Sequence, residues 1–283
     1  MKKFTDVASL IAARNIWEKK NIRVGFVPTM GALHEGHMSL IKAAQEVTDS
    51  VVVSIFVNPT QFGPNEDLNS YPSMIEEDLR ALEKEGVDAT FLPTPSAMYP
   101  AGFQSYVINN EASLALCGGS RPGHFQGVLT VVLKLLNLVH PHSAFFGAKD
   151  YQQLALIRTM ARDFHLRTKI VSCPTVREDD GLAMSSRNLR LKAGERELAP
   201  AIYRAMIATK NLYATGERSI LALLERFKNE VSDPSFEIDY VEIRDGVTLG
   251  AYEDMIEPEV GVPHLFCAVN LGAVRLIDNV PLE

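Results

Sequence analysis

Residues Val24–Pro59 read VGFVPTMGALHEGHMSLIKAAQEVTDSVVVSIFVNP, and this stretch decides the fold. Val24 to Pro28 is short and apolar and runs into a loop that contains Pro28 and Gly31. Leu40, Ile41, Ala44 and Val47 then recur at helical spacing. Val51 to Val57 is a nearly continuous apolar run ended by Asn58-Pro59, which suits a strand buried on both faces. Strand, loop, helix and strand in that order make a βαβ unit.

Working outward, the alternation continues. The pattern predicts a helix around Ile75 to Glu85, a strand around Ala89 to Leu92, and an apolar helix from about Gly127 to Val139. A strand at Ala144 to Phe146, a helix at Gln152 to Arg162 and a strand at Lys169 to Cys173 follow. This is the rhythm of a Rossmann-like α/β domain, a doubly wound parallel sheet whose ligands bind beyond the carboxyl ends of the strands. Past Val176 the rhythm changes to helical patterns at Leu198/Ile202/Met206 and Ile220/Leu224/Phe227, then to strand-like segments at Phe236 to Ile243 and Leu265 to Leu271. The expected organisation is a larger domain over residues 1–176 and a smaller α+β domain over residues 177–283, joined by a short hinge near Val176 to Asp180. No internal repeat or low-complexity tract interrupts it.

Composition narrows the function classes. A chain of 283 residues, 46% hydrophobic and 22% charged, has the core for two domains of unequal size. Its 28 basic and 35 acidic residues give a net charge of -7 with no basic cluster, which argues against nucleic acid. Cys117, Cys173 and Cys267 are far apart and odd in number, which fits a reducing cytoplasm better than a disulfide framework. Met1-Lys2-Lys3 resembles the start of a signal peptide, but Asp6 and Arg14 interrupt any apolar core, and the segment reads as an amphipathic helix. No apolar run approaches the roughly 20 residues of a membrane helix.

The densest chemistry lies at Pro28-Thr29-Met30-Gly31-Ala32-Leu33-His34-Glu35-Gly36-His37, between the first strand of the unit and its helix. His34 and His37 are three residues apart and share a helix face. The exposed N–H groups and dipole of a helix start favour anions, so two imidazoles there suit a triphosphate, and Gly36 permits close backbone approach. The competing reading is a histidine pair that caps the helix or sits half-buried. A zinc-hydrolase reading fails on spacing, since H-E-x-x-H needs two residues between Glu35 and the second histidine and only Gly36 stands there. His124, His140 and His142 are too irregularly spaced for a zinc site, so no protein-held metal is expected.

H-x-G-H after a first strand resembles the signature of nucleotidyl transferases and of one class of aminoacyl-tRNA synthetases, families that activate substrates with ATP. Met184-Ser185-Ser186-Arg187 is the counterpart of their second, basic loop. The resemblance narrows to the pantothenate synthetases through blocks in order: Pro28-Thr29-Met30-Gly31, Ser54-Ile55-Phe56-Val57-Asn58-Pro59, Gln61-Phe62, Arg121-Pro122-Gly123-His124-Phe125, Phe146-Gly147-Ala148-Lys149-Asp150-Tyr151-Gln152-Gln153 and Ser185-Ser186-Arg187-Asn188. Two departures from the family pattern are mild: Gln126 stands where a basic residue is expected, and Ala148 where a larger polar one is. The likeness covers essentially the whole chain.

That resemblance implies a ligase that joins pantoate to β-alanine through a pantoyl-adenylate, with ATP as substrate and Mg²⁺ as counter-ion. A carboxylate nucleophile is already ionised and needs no general base, so the protein's task is alignment and charge neutralisation. By the same resemblance, His37 is the foremost catalytic residue, with His34, Lys149 and Arg187. ATP contacts are expected at Met30, Gly31, Ala32, Leu33, His34, Glu35, Gly36 and His37, at Gly147, Ala148, Lys149 and Asp150, at Val176, and at Met184, Ser185, Ser186 and Arg187. Asp150 suits the ribose hydroxyls, or alternatively a helix N-cap. Gln61 and Gln153 are the expected readers of pantoate, Gln61 also touching β-alanine; neutral amides orient hydroxyls without weakening the carboxylate nucleophile. A homodimer built through the sheet domain, a lid role for the smaller domain and a cytoplasmic location are implied too. The alternatives are a plain nucleotidyl transferase acting on another small substrate and a non-catalytic ATP sensor.

Overall fold

The computed structural model describes residues 1–64, 68, 74–257 and 261–283. The chain falls into two compact units: residues 1–109, 121–148 and 156–174 form the first, and residues 110–120, 149–155 and 175–283 the second.

The first unit is built on six parallel strands: β1 (Lys2–Phe4), β2 (Val24–Thr29), β3 (Ser50–Ile55), β4 (Ala89–Phe91), β5 (Ser143–Gly147) and β6 (Lys169–Cys173). Their order across the sheet is β1-β4-β3-β2-β5-β6. The N-terminus corrects the expectation of a helix from the first residues. Lys2–Phe4 instead pairs with Ala89–Phe91 as an edge strand, and the helix α1 (Val7–Lys19) starts only after Asp6, whose carboxylate accepts the Ser9 N–H at 2.8 Å. The central strand β2 is flanked by β3 and β5, so strand order reverses there, which opens a crevice beyond the carboxyl ends of β2 and β5.

The helices of this unit follow the apolar periodicity. In α2 (Glu35–Val47), Met38, Leu40, Ile41 and Ala44 are buried. They pack with Val51, Val53 and Ile55 of β3, with Phe145, and with Leu82 of α3 (Ile75–Lys84). Alternate β3 residues therefore serve one sheet face, as strand geometry requires. A short α4 (Pro95–Met98) follows β4.

The second unit opens with α5 (Cys117–Ser120), between residues 110 and 120. In the first unit, α6 (His124–Val139) buries ten residues, among them Leu129 and Leu136, and packs against α1. The helix α7 (Tyr151–Asp163) follows β5; its residues to Ala155 belong to the second unit and the rest to the first.

The remainder of the second unit holds α8 (Ala193–Leu198), α9 (Ala201–Ala214), α10 (Ile220–Glu230) and an antiparallel sheet of β7 (Phe236–Asp245), β8 (Pro263–Leu271) and β9 (Val274–Pro281) in sequence order. One core joins Ile202, Ala205, Met206, Leu223 and Phe227 of the helices to Leu265, Cys267 and Val269 of β8. The other face of the sheet carries Tyr240 and Phe266, packed with Leu116, Tyr151 and Ala155. No helix among the described residues is long and apolar enough to cross a membrane.

Phe145 is 1% exposed in β5, immediately before the crevice. Phe145→Ala should destabilise the protein by about 3–5 kcal/mol through lost transfer energy and a cavity, measured as a lowered urea midpoint with unchanged slope.

Candidate active site

The chain must turn sharply between the end of β2 at Thr29 and the start of α2 at Glu35. It does so through two consecutive left-handed residues, Gly31 (φ +87°) and Ala32 (φ +50°). Such a turn is costly for a residue with a Cβ, and it is held by Asp78 on the first turn of α3. The Asp78 carboxylate accepts the Ala32 N–H at 2.9 Å and the Leu33 N–H at 2.8 Å. A Cβ on Gly31 would stand 2.9 Å from Asp78 Oδ2, so glycine is required sterically as well as conformationally. Thr29 Oγ1 donates to the Ser54 carbonyl at 2.8 Å and accepts the Gly31 N–H at 3.3 Å, fastening the turn to β3.

Asp78 is 3% exposed and pairs with no cation among the described residues. Burial pushes its carboxyl above the usual range; the hydrogen bonds from Leu33 and Ala32 oppose this, and Glu77 adds to it. Asp78 was not expected from the sequence, because three acids, Glu76, Glu77 and Asp78, open α3 and nothing local singles one out.

The two histidines sit at the helix start in reciprocal capping geometry. His34 is the N-cap and its Nδ1 accepts the Gly36 N–H at 3.1 Å, while His37 Nδ1 accepts the His34 N–H at 3.3 Å. The rings lie 4.2 Å apart, inclined at 51°. A backbone N–H can only donate, so each neutral ring must leave Nδ1 unprotonated and carry its proton on Nε2. Capping and ligand binding are therefore compatible: the cap uses one nitrogen and fixes the other as a donor. Gly36 has a local reason too, since a Cβ there would come 2.8 Å from His34 Cε1.

Beside this loop lies a buried polar cluster after β3. Asn58, 1% exposed, donates to Gln61 Oε1 at 3.0 Å and to the Gly127 carbonyl at 3.2 Å. Its Oδ1 accepts from the Tyr99 hydroxyl at 2.8 Å and from Thr60 Oγ1 at 3.0 Å. Burial raises the Tyr99 hydroxyl above its ordinary range. Gln61 Nε2 lies 3.2 Å from Met30 Sδ, so an expected substrate reader and an expected nucleotide contact touch. His124 Nδ1 is 2.8 Å from the Gln61 carbonyl, which can only accept, so that nitrogen carries the proton. The sequence assigns no role to Asn58, Thr60 or Tyr99; Asn58 is legible there as the end of a strand and as part of a family block. His140 pairs instead with Glu18 at 2.6 Å, and His142 accepts the Val24 N–H at 3.2 Å.

Met30 to His37, Gln61, Gly147 and Ala148 belong to the first unit, and Gly147 closes β5. Lys149, Asp150, Gln153, Val176 and Met184 to Arg187 belong to the second. There the Val176 carbonyl accepts the Met184 N–H at 3.0 Å, closing a hairpin between two expected nucleotide contacts. Ser185 Oγ accepts the Arg187 N–H at 3.3 Å and so caps the 3₁₀ turn Ser186–Arg190. Lys149 lies within a 3₁₀ turn, Ala148–Asp150, in which Asp150 is exposed, and Gln153 is half-buried on the first turn of α7.

A family model described as pantoate-beta-alanine ligase matches residues 2–281. The chain belongs to the pantoate-beta-alanine ligase family. It is thus an enzyme, similar to the pantothenate synthetase of Thermotoga neapolitana, with 49% identity over 283 residues covering 100% of this chain and 96% of that one. The pantothenate synthetase of Dinoroseobacter shibae is 48% identical over 275 residues, covering 97% of both chains. Among solved structures, the Thermus thermophilus pantothenate synthetase superposes with a TM-score of 0.92 at 41% identity, covering 100% of both chains. The Francisella tularensis pantoate-beta-alanine ligase, solved in complex with beta-gamma ATP and beta-alanine, gives 0.83 at 38% identity, covering 100% of this chain and 98% of that one. This ligase fold accounts for the parallel sheet and the smaller antiparallel one.

Asp78→Asn tests the clamp on the ligase's turn. One amide oxygen replaces two carboxylate oxygens, so kcat/KM for ATP should fall on the order of 10-fold. A folded pKa raised above the unfolded one means a stabilising contribution complete at low pH and lost as pH rises through the folded value. Urea denaturation should accordingly show the wild type gaining stability relative to Asp78→Asn as pH falls from about 7 towards about 4; a pH-independent difference would contradict this.

Proposed function

We propose that the enzyme condenses pantoate with β-alanine to form pantothenate at the expense of ATP. The pantoate carboxylate attacks the α-phosphorus of ATP and pyrophosphate leaves, giving pantoyl-adenylate. The amine of β-alanine then attacks the acyl carbon, AMP departs with the bonding electrons of the acyl–oxygen bond, and the amine's proton is lost to solvent.

The observation that carries this reading is the pair of imidazoles whose Nδ1 atoms accept backbone N–H bonds. Each ring then carries its N–H on Nε2 at the start of α2, beside the positive end of the helix dipole. Such donors stabilise negative charge that develops on phosphate oxygens without removing a proton from anything, as a carboxylate nucleophile requires. His37 has the leading role, assisted by His34, Lys149 and Arg187. Gln61 supports pantoate with its amide, held in orientation by Asn58, and Gln153 contributes a second amide.

Mg²⁺ fits as a counter-ion carried chiefly by phosphate oxygens and water. The buried carboxylate at the loop, Asp78, has each oxygen engaged by one backbone N–H, from Ala32 and Leu33, and so serves the turn. Bound there, the ion would offset phosphate charge. A homodimer is part of the proposal by family likeness alone. A cytoplasmic setting is supported by Cys117, Cys173 and Cys267, all buried free thiols.

The deciding assay follows pyrophosphate and AMP from ATP, Mg²⁺ and pantoate, with and without β-alanine. AMP and pantothenate that appear only with the amine are expected; pyrophosphate without AMP under both conditions would instead favour a nucleotidyl transferase. His37→Ala should bind ATP almost normally and lose roughly 100- to 1,000-fold in kcat. Lost ATP binding as the sole defect would point to a sensor.

A further inference from the structure

Asp278 and Asn279 stand side by side on β9, 5% and 7% exposed. Successive side chains on a strand point to opposite faces, so an adjacent polar pair can serve two separate neighbours. Two buried polar side chains in a short strand cost stability unless they are fully hydrogen-bonded. Both of these bond to segments that lead to a cation of the proposed site.

Asp278 holds Arg177 in a bidentate pair, Nη1 at 2.7 Å and Nη2 at 2.9 Å. The same guanidinium lies 3.8 Å over the Tyr203 ring and donates to the Gly181 carbonyl at 3.1 Å. Arg177 pairs across the hairpin with Ala183, whose carbonyl accepts from Asn188 Nδ2 at 3.1 Å. Asn188 lies in the 3₁₀ turn that contains Arg187, and that turn packs against β9. Asp278 therefore fixes the root of the Arg187 loop.

Asn279 reaches the other way. Its Nδ2 donates to the carbonyl of Lys149 at 2.9 Å, across 130 positions of sequence. Two residues on, Tyr151 is held against His264, ring centroids 4.1 Å apart, so the segment after Lys149 is fixed as well. The Asn279 N–H in turn donates to Asp278 Oδ1 at 2.8 Å, which couples the two anchors.

We propose that Asp278-Asn279 is a positioning pair for adenylation, fixing the backbone of Lys149 and the base of the Arg187 loop from one point of β9. This rests on the reading above, in which Lys149 and Arg187 meet the phosphates. A lysine ammonium ends a flexible four-carbon stem, so its reach is defined only if its backbone is fixed. Misplacing a charged group by about 1 Å can cost on the order of 100-fold in rate.

The test measures pantoate-dependent pyrophosphate release, single-turnover, with thermal unfolding in parallel. Asn279→Ala should slow adenylation by roughly 10- to 100-fold, with a cooperative melt retained and KM for β-alanine unchanged. Asn279→Asp, of the same shape but unable to donate to a carbonyl, should behave alike. In a Lys149→Ala background Asn279→Ala should change the rate by no more than about 2-fold. An undiminished loss there would show that Asn279 acts elsewhere and overturn the proposal. So would a normal rate for Asn279→Ala in a protein that Lys149→Ala slows. Normal rates for both Lys149→Ala and Arg187→Ala would instead sink the underlying reading of the site. Asp278→Asn should mimic Arg187→Ala, and if it does not fold, the Asn279 variants decide the matter alone.

Discussion

The left-handed turn at Gly31 and Ala32 is the constraint on which the rest of the loop depends. It lets β2 end and α2 begin within a few residues, and it exists because a buried carboxylate from α3 accepts two consecutive N–H groups. Without that acceptor the Ala32 and Leu33 donors would lose their partners, each at a cost of about 1–3 kcal/mol. The turn places His34 at the N-cap, and the cap places His37 one turn further on. The tautomers then follow from hydrogen-bond polarity, since only an unprotonated Nδ1 can receive a backbone N–H.

Buried polar groups do the positioning elsewhere in the molecule by the same logic. Asn58 uses both its amide protons and its oxygen to tie the turn after β3, helix α6 and Tyr99 together. The Gln61 amide is consequently held in one orientation. In the second unit, Gln152 donates to the Ala112 and Ala115 carbonyls and accepts the Cys117 N–H, while Asp278 and Asn279 divide Arg177 and Lys149 between them. A buried ion pair such as Arg177–Asp278 contributes little net stability relative to an apolar isostere. What it gives is a single geometry.

Family membership and geometry meet in an economical picture of catalysis. A nucleophile that is already an anion leaves the protein no proton to remove, so donors and fixed charges are what the site must supply. In the proposed mechanism the capped histidines would provide donors whose direction is set by the backbone they cap. A cation on a flexible stem can be useful only where its backbone is held, which is the purpose proposed for the polar residues of β9.

The sequence by itself determined the βαβ unit at Val24 to Val57, the parallel sheet, the helix-start histidines and the family, because these are local: periodicity, turn residues and ordered motifs lie within a few residues of each other. It did not reveal β1, whose three residues are too few to show a period, nor β9, where Asp278-Asn279 breaks the alternation of Val274, Leu276 and Val280. Nor did it single out Asp78, Asn58 or Asn279. Each of these is an ordinary polar residue in its own neighbourhood. Their roles come from partners 45, 69 and 130 positions away, and only tertiary folding brings a buried acceptor or donor to a backbone group so distant and, by excluding water, makes the bond between them indispensable.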